Sequence, residues 1–194
     1  MLPKRERMLQ HPRGPNRRGW HPAARVAIAL CVTMALVVAP SAQVPRPELA
    51  IKSEFVLRFP EFVEWPMTSA DRRPLSLCLS PSHPFGKNVQ ASVSGQPRAR
   101  RIVVRELGAD EPVRNCDVVY VAAADLSLLD AVKDLPILTV GDHPNFCQRG
   151  GMINMLVIDG RVRFEIDLSR ARRSGLKMDS QLLRLASKVY GGTQ

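Results

Sequence analysis

The sequence lacks the short signatures that mark several large enzyme classes. No glycine-rich dinucleotide fingerprint follows a predicted strand, no Walker phosphate loop occurs, and no G-x-S-x-G nucleophile elbow is present. The pair Gly150-Gly151 is interpreted as a turn that leads into a strand. We therefore predict no catalytic residue and no cofactor, and we expect a protein that is not an enzyme.

The clearest apolar run in the chain is too short to cross a bilayer. Residues 26–38, VAIALCVTMALVV, number 13, whereas a membrane-spanning helix needs about 20. Seven Lys or Arg and one acid precede the run, and the small residues of APSAQ follow it, which is the order of a secretory signal peptide. We predict a signal peptide over 1–42, cleaved after Ser41 or Ala42, with a retained anchor as the alternative. Residues 43–194 then form a single exported domain.

Most of the positive charge belongs to this leader. The full chain carries a formal charge of +10, but residues 43–194 hold 21 basic and 17 acidic side chains, or +4. A nucleic-acid partner is therefore not expected from the high pI. A local basic patch is still conceivable from five arginines near the C-terminus: Arg161, Arg163, Arg170, Arg172 and Arg173.

Strand-like and helix-like segments alternate along the exported part. Alternating or continuous apolar residues predict strands over 74–80, 100–107, 116–123, 136–142, 152–159 and 161–168. Helical spacing predicts helices over 48–64 with an interruption at Pro60, over 84–95, over 125–135 with Asp125 as N-cap, over 169–175 and over 178–191. In the last helix we expect the inward side chains to be Leu182, Leu183, Leu185, Ala186 and Val189.

These segments predict an α/β fold with a mixed, mostly parallel sheet and helices on both faces. Asp159-Gly160 lies between two alternating segments, which is a strong signal for a hairpin turn. The second of these segments has one apolar and one charged face, so we expect this antiparallel hairpin at the edge of the sheet.

Two histidines remain after the predicted cleavage. His83 and His143 each precede a proline and directly follow a predicted strand. If those strands are parallel, both loops lie at the C-terminal edge of the sheet, where α/β folds bind ligands. A small-ligand-binding sensor is therefore the alternative function. Two histidines with Asp142 do not define a metal site, and the plainer interpretation is loop histidines beside turn prolines.

Cys31 belongs to the predicted leader, which leaves three cysteines. Cys78 lies in the first predicted strand and Cys116 opens the third. If the first strand is central, those strands are neighbours and the two sulfurs can form a disulfide; two buried thiols are the alternative. Cys147 is then left over, either buried or available for an intermolecular or redox role.

Several segments together resemble the YfiR family, DUF4154, over about residues 51–189. They are FPEFVEWP, HPFG, CDVVYVA, ILTVGDHPNFCQRGGMIN and VRFEIDLSRARRSGLKMDSQLLRLA. The resemblance implies a periplasmic, non-catalytic repressor that binds the periplasmic sensory domain of an inner-membrane diguanylate cyclase. Cyclic-di-GMP, exopolysaccharide and biofilm then stay low. It also implies an outer-membrane, peptidoglycan-binding lipoprotein as a second partner, and a homodimer is a further candidate assembly.

The resemblance is incomplete at the cysteines. The family's best-known member has two disulfides, and reduction is thought to weaken it, whereas Cys147 has Asn154 and Met155 where a partner cysteine would fall. Redox control through a second bridge is therefore not expected.

The strand RVRFEIDL and the segment after it offer a surface for such a partner. Charged residues of both signs alternate with apolar ones, and three arginines follow. Mixed charge suits orientation-specific contact with a protein. We predict that Glu165 and Arg173 lie on the partner-binding surface; the alternative is a solvated edge without a partner.

Overall fold

The computed structural model describes residues 46–66, 73–85, 89, 101–108 and 111–192. The predicted signal peptide lies outside the described residues, as does nearly all of the predicted helix over 84–95. Within the described ranges, no helix combines the length and the apolar character needed to cross a membrane.

Within these described ranges, nine strands form two sheets. In chain order they are β1 Val63–Glu64, β2 Leu75–Leu79, β3 Ile102–Glu106, β4 Val118–Tyr120, β5 Leu138–Gly141, β6 Ile153–Ile158, β7 Arg161–Asp167, β8 Lys177–Met178 and β9 Lys188–Tyr190. β1 and β8 form a small antiparallel pair, and the other strands form one sheet in the order β3-β2-β4-β5-β6-β7-β9. Every neighbouring pair in the large sheet is parallel except β6 with β7. The mostly parallel α/β sheet is therefore confirmed.

The helices are shorter than the sequence pattern predicts. The α-helices in the described part of the chain are α1 Arg46–Arg58, α2 Leu128–Ala131, α3 Leu168–Arg173 and α4 Ser180–Leu185. A 3₁₀ helix, Phe59–Phe62, continues α1 at Pro60, because proline removes a backbone donor and disfavours a regular α-helical turn. Val63 then leaves the helical conformation and pairs with Met178, so the prediction of a helix as far as residue 64 is wrong.

Side chains on both faces of the large sheet are buried. One cluster packs α1 and α4 against one face, with Leu57, Leu77 and Leu182 among its members. The second cluster lies on the opposite face around Cys78, Val119 and Leu129, where α2 packs. Successive strand residues point to opposite faces, which is why Leu77 and its neighbour Cys78 join different clusters.

The hairpin forms where the sequence predicts it. Asp159 and Gly160 both have positive φ angles, 50° and 70°, which a tight hairpin turn requires. The hairpin is not the edge of the sheet, however, because β9 pairs with β7 on its outer side.

The predicted helix over 178–191 is correct only as far as Leu185. The amide and the hydroxyl of Ser187 both donate to the carbonyl of Phe164, at 2.8 Å each, and draw the following residues onto β7. Leu182 is buried as expected, but Leu185 is 66% exposed. Val189 is half-buried on a strand instead of a helix.

Asp125 is not a helix N-cap. Its carboxylate accepts hydrogen bonds from the backbone N–H of Ser82, at 2.9 Å, and from the Ser82 hydroxyl, at 3.2 Å. These bonds join the loops that follow β2 and β4. The helix that follows is a single turn whose N-cap, Ser127, makes no side-chain capping bond.

Candidate functional site

The disulfide between Cys78 and Cys116 is present. The two Cα atoms are 5.9 Å apart, and both residues are buried. The pairing follows from topology, because β2 lies between β3 and β4 and Cys116 comes two residues before β4. The bridge therefore joins two neighbouring parallel strands inside the second core cluster.

Cys147 is free and buried. Its sulfur lies 3.8 Å from the carbonyl oxygens of Met152 and Glu165. Burial, with the charges of Glu165 and Asp167, raises the pKa of Cys147 to about 12. The thiol therefore stays protonated at neutral pH, and its burial argues against a bridge between chains and against a reactive redox role.

Asn154 lies beside this thiol and is almost fully buried. Its side-chain oxygen and nitrogen make no hydrogen bond within the described part of the chain. Phe146, between β5 and β6, is fully buried, and its ring lies against Gly141 and Gly151. A Cβ atom added to Gly141 would lie 2.7 Å from that ring and one added to Gly151 only 2.1 Å, so neither position has room for a side chain. Gly151 thus has a packing role beyond that of a turn.

The two histidines lie at the same edge of the sheet but do not form one site. His83 follows β2 and His143 follows β5, with β4 between these parallel strands. The Nε2 atom of His83 is 3.3 Å from a carboxylate oxygen of Glu106. His143 is 7% exposed and packs edge-on against Phe146, with ring centroids 4.9 Å apart. Among the described residues, no group of three or more His, Cys, Asp or Glu could hold a metal ion.

An ion network that the sequence analysis missed lies at this edge. Lys52 of α1 binds Asp142, which follows β5, at 2.9 Å and Glu48 at 2.7 Å. The hydroxyl of Tyr120, on β4, donates to the other oxygen of Asp142. Asp142 directly precedes His143 in the sequence, but no sequence pattern connects it with Lys52, which lies 90 residues away.

Burial and charge act together on this network. Burial lowers the pKa of Lys52, but the hydrogen bonds and charges of Asp142 and Glu48 more than offset this effect, so that the pKa of Lys52 lies above its ordinary value. Burial, Asp142 and the hydrogen bond raise the pKa of Tyr120 above its ordinary value. The network thus connects α1 with the ends of β4 and β5, and each of its charged groups is paired with another member of the network.

Glu165 and Arg173 are both accessible, to different degrees. Glu165 is half-buried on β7, and its carboxylate accepts a 3.4 Å hydrogen bond from the hydroxyl of Tyr190. Arg173 is exposed on α3 and donates to the hydroxyl of Ser169 at 3.3 Å. No direct contact joins Glu165 to Arg173 among the described contacts.

Arg170 does not belong to an exposed basic patch. It is 5% exposed, and its Nε donates to the carbonyl of Gly150 at 3.1 Å. Burial, with the nearby charge of Arg173, lowers the pKa of Arg170. The other four arginines of the predicted patch are exposed: Arg161, Arg163, Arg172 and Arg173.

Comparison with known proteins identifies the family and supports the fold. The model of the DUF4154 family, described as YfiR/HmsC-like, matches residues 49–187. A solved structure of a conserved domain protein from Vibrio cholerae O1 biovar El Tor strain N16961 is also similar, with a TM-score of 0.50 and 11% identity over 73% of this chain. The match spans 60% of that protein's length, and at this identity it supports the fold alone.

Proposed function

Because the chain belongs to the YfiR/HmsC-like family of periplasmic regulators in cyclic-di-GMP signalling, we propose that it inhibits a diguanylate cyclase by protein–protein contact. The partner is the periplasmic sensory domain of an inner-membrane cyclase. Binding lowers cyclic-di-GMP and with it exopolysaccharide and biofilm. An outer-membrane, peptidoglycan-binding lipoprotein is the proposed competitor that removes the inhibitor.

The exposed charge at the C-terminal end of the fold supports this proposal. β7 and α3 follow one another directly and place Glu165 and Arg173 on rigid elements. The N-terminal ends of both C-terminal helices are fixed by aspartate caps, Asp167 for α3 and Asp179 for α4. A pre-formed charged surface loses little conformational entropy on binding. We propose that Glu165 and Arg173 belong to the contact with the cyclase or the lipoprotein.

A charge-reversal variant tests this contact surface. The double variant Glu165→Arg/Arg173→Glu keeps the net charge and should leave the fold intact, since substitutions at accessible positions usually change stability by about 0.5 kcal/mol or less. Expressed as the only copy, it should raise cyclic-di-GMP towards the level of a strain that lacks the gene. Cyclic-di-GMP is measured by mass spectrometry of cell extracts.

A matched control uses the opposite half of the domain. Asp130 and Lys133 are exposed in and after α2, so Asp130→Arg/Lys133→Glu reverses one acid and one base at the same net charge. This control should repress normally. Full repression by an exported, folded Glu165→Arg/Arg173→Glu protein would remove these two residues from the contact. An unchanged cyclic-di-GMP level in the strain without the gene would reject the function itself.

A further inference from the structure

The acidic and basic side chains of β7 have different roles. Asp167 accepts hydrogen bonds from the backbone N–H of Arg170, at 2.8 Å, and from the Ser169 hydroxyl, at 2.6 Å, and so caps α3. Glu165 is held by Tyr190. Arg161 and Arg163 are exposed and make no ion pair within the part of the chain that the structure describes. A face that has mixed charge in the sequence is therefore positive at its outer end.

The two arginines line one groove. On the hairpin, Arg161 pairs with Ile158 and Arg163 with Leu156, so these four side chains share a face. A groove of about 480 Å³ lies here, lined by Ile158, Asp159, Arg161, Arg163 and Ser187. Ile158 is 43% exposed, which leaves an apolar surface beside the two guanidinium groups. We call this the hairpin groove.

An acidic, partly apolar protein segment fits the hairpin groove. Residues i and i+2 of a strand are about 7 Å apart, so two guanidinium groups can each bind a separate carboxylate. Arginine suits this role because its planar fork can bind a carboxylate through two hydrogen bonds. The exposed side chain of Ile158 offers an apolar anchor beside them, and arginines with an apolar contact are frequent in the energetic centres of interfaces.

The same features disfavour a second copy of the chain or a membrane. A two-fold interface built on this groove would bring the arginines of one copy towards those of the other. A bilayer presents a flat surface, whereas a concave groove fits a protruding segment of a protein.

We propose that the hairpin groove binds an acidic segment of the protein partner through Arg161 and Arg163. This inference rests on the proposed function and names the chemistry of the partner. It predicts an interaction that weakens with ionic strength, because salt screens exposed charges beyond about 10 Å at 0.1 M.

The test first identifies the partner genetically. It is the cyclase whose own deletion abolishes the rise in cyclic-di-GMP that follows loss of this gene. The probe is the purified periplasmic domain of that cyclase, and its binding to the protein purified from the periplasm is measured by calorimetry at low and high salt. Arg161→Glu/Arg163→Glu should bind at least about tenfold more weakly and lose most of the salt dependence.

Two further variants separate charge from folding. Arg161→Lys/Arg163→Lys keeps the charge and should retain more binding than the glutamate variant. Arg114→Glu/Lys133→Glu makes the same change in net charge at two exposed bases that line a different groove, and it should bind normally. Thermal unfolding of all variants confirms that each is folded.

Each alternative has its own result. Unchanged affinity of Arg161→Glu/Arg163→Glu, with regulation intact, overturns the inference and leaves the proposed function standing. Binding of wild type, but not of this variant, to phosphatidylglycerol vesicles assigns the groove to a membrane. Sedimentation that shows a dimer lost in this variant assigns it to a second copy. If no cyclase responds to loss of the gene, the proposed function and this inference fail together.

Discussion

The two halves of the large sheet are built differently. In the half formed by β3, β2, β4 and β5, the strands are parallel, and β2, β4 and β5 carry buried side chains on both faces, with the disulfide inside one of the two clusters. In the half formed by β6, β7 and β9, Phe164 and Ile166 are buried, but both faces become exposed towards the hairpin turn, where Val157 is 46% and Ile158 is 43% exposed.

This difference separates stability from recognition. A strand covered on both faces can change little without loss of packing, whereas an exposed strand face can vary its charges at small cost. The parallel half therefore holds the disulfide and strands that are buried on both faces, and the hairpin half is the part that we propose as the surface for a partner. Three sets of substitutions, one of them repeated at alkaline pH, examine the stability side of this division, in order of expected effect.

Removing the disulfide should cause the largest loss. The bridge joins residues separated by 38 positions, and the chain-entropy relation gives about 4 kcal/mol for a loop of that size. We expect Cys78→Ala/Cys116→Ala to lower the free energy of unfolding by roughly this amount, as measured by urea denaturation followed by circular dichroism. Reduced wild-type protein should behave similarly. A loss below about 1 kcal/mol would show that the parallel half does not depend on its covalent link.

Breaking the ion network at the edge of the parallel half should cause the second-largest loss of stability. Lys52→Met leaves Asp142 and Glu48 without their shared cation, and removing one partner of a buried pair typically costs about 3 kcal/mol or more. Arg58→Met on the same helix removes a more exposed pair with Glu54 and should cost about 0.5 kcal/mol. Equal effects of the two substitutions would contradict a special role for the network.

The stability gap between wild type and Lys52→Met should depend on pH, because the pKa of Lys52 is raised in the folded state. A base whose pKa is higher in the folded state stabilises the fold fully below its unfolded pKa and loses that contribution as the pH rises through the folded value. The gap in stability between wild type and Lys52→Met should therefore be complete at neutral pH and shrink above pH 10.5. Unfolding curves at pH 7 and at alkaline pH measure this gap.

The smallest changes in stability are expected at two buried polar residues, one with a hydrogen-bond partner and one without a described partner. Thr139, on β5, accepts a 3.0 Å hydrogen bond from the backbone N–H of Met152, whereas the amide of Asn154, on β6, has no partner in the described structure. Thr139→Val should destabilise by about 1–3 kcal/mol, because it leaves a buried N–H unpaired. Asn154→Val should be neutral or stabilise by about 1 kcal/mol.

The test is whether Thr139→Val and Asn154→Val change the free energy of unfolding in opposite directions. Thr139→Val keeps the branched shape and the strand propensity and removes only the hydroxyl, whereas Asn154→Val also replaces a poor strand former by a good one, which adds to the expected stabilisation. Destabilisation of similar size at both positions would mean that Asn154 makes a bond that the described residues do not show.

Local chemistry in the sequence was enough to predict much of the fold. Asp159-Gly160 specifies its hairpin because both positions adopt positive φ, which these residues tolerate. The apolar runs from Leu75 to Leu79 and around Val119 predict buried strands, and their order along the chain made Cys78 and Cys116 plausible neighbours. The resemblance to the YfiR family, carried by whole segments, is confirmed by the family match.

Tertiary structure decided what local patterns leave open. The spacing of Leu182, Leu183 and Leu185 fits a helix in isolation, yet hydrogen bonds from Ser187 to Phe164 end it and expose Leu185. Lys52 contacts Asp142 only because the fold brings the middle of α1 to the end of β5. Likewise, Tyr190 and Ser169 donate hydrogen bonds to Glu165 and Asp167 of β7, which the alternation of charges in the sequence does not predict. Local preferences act over a few residues, whereas these pairings join positions that only the topology brings into contact.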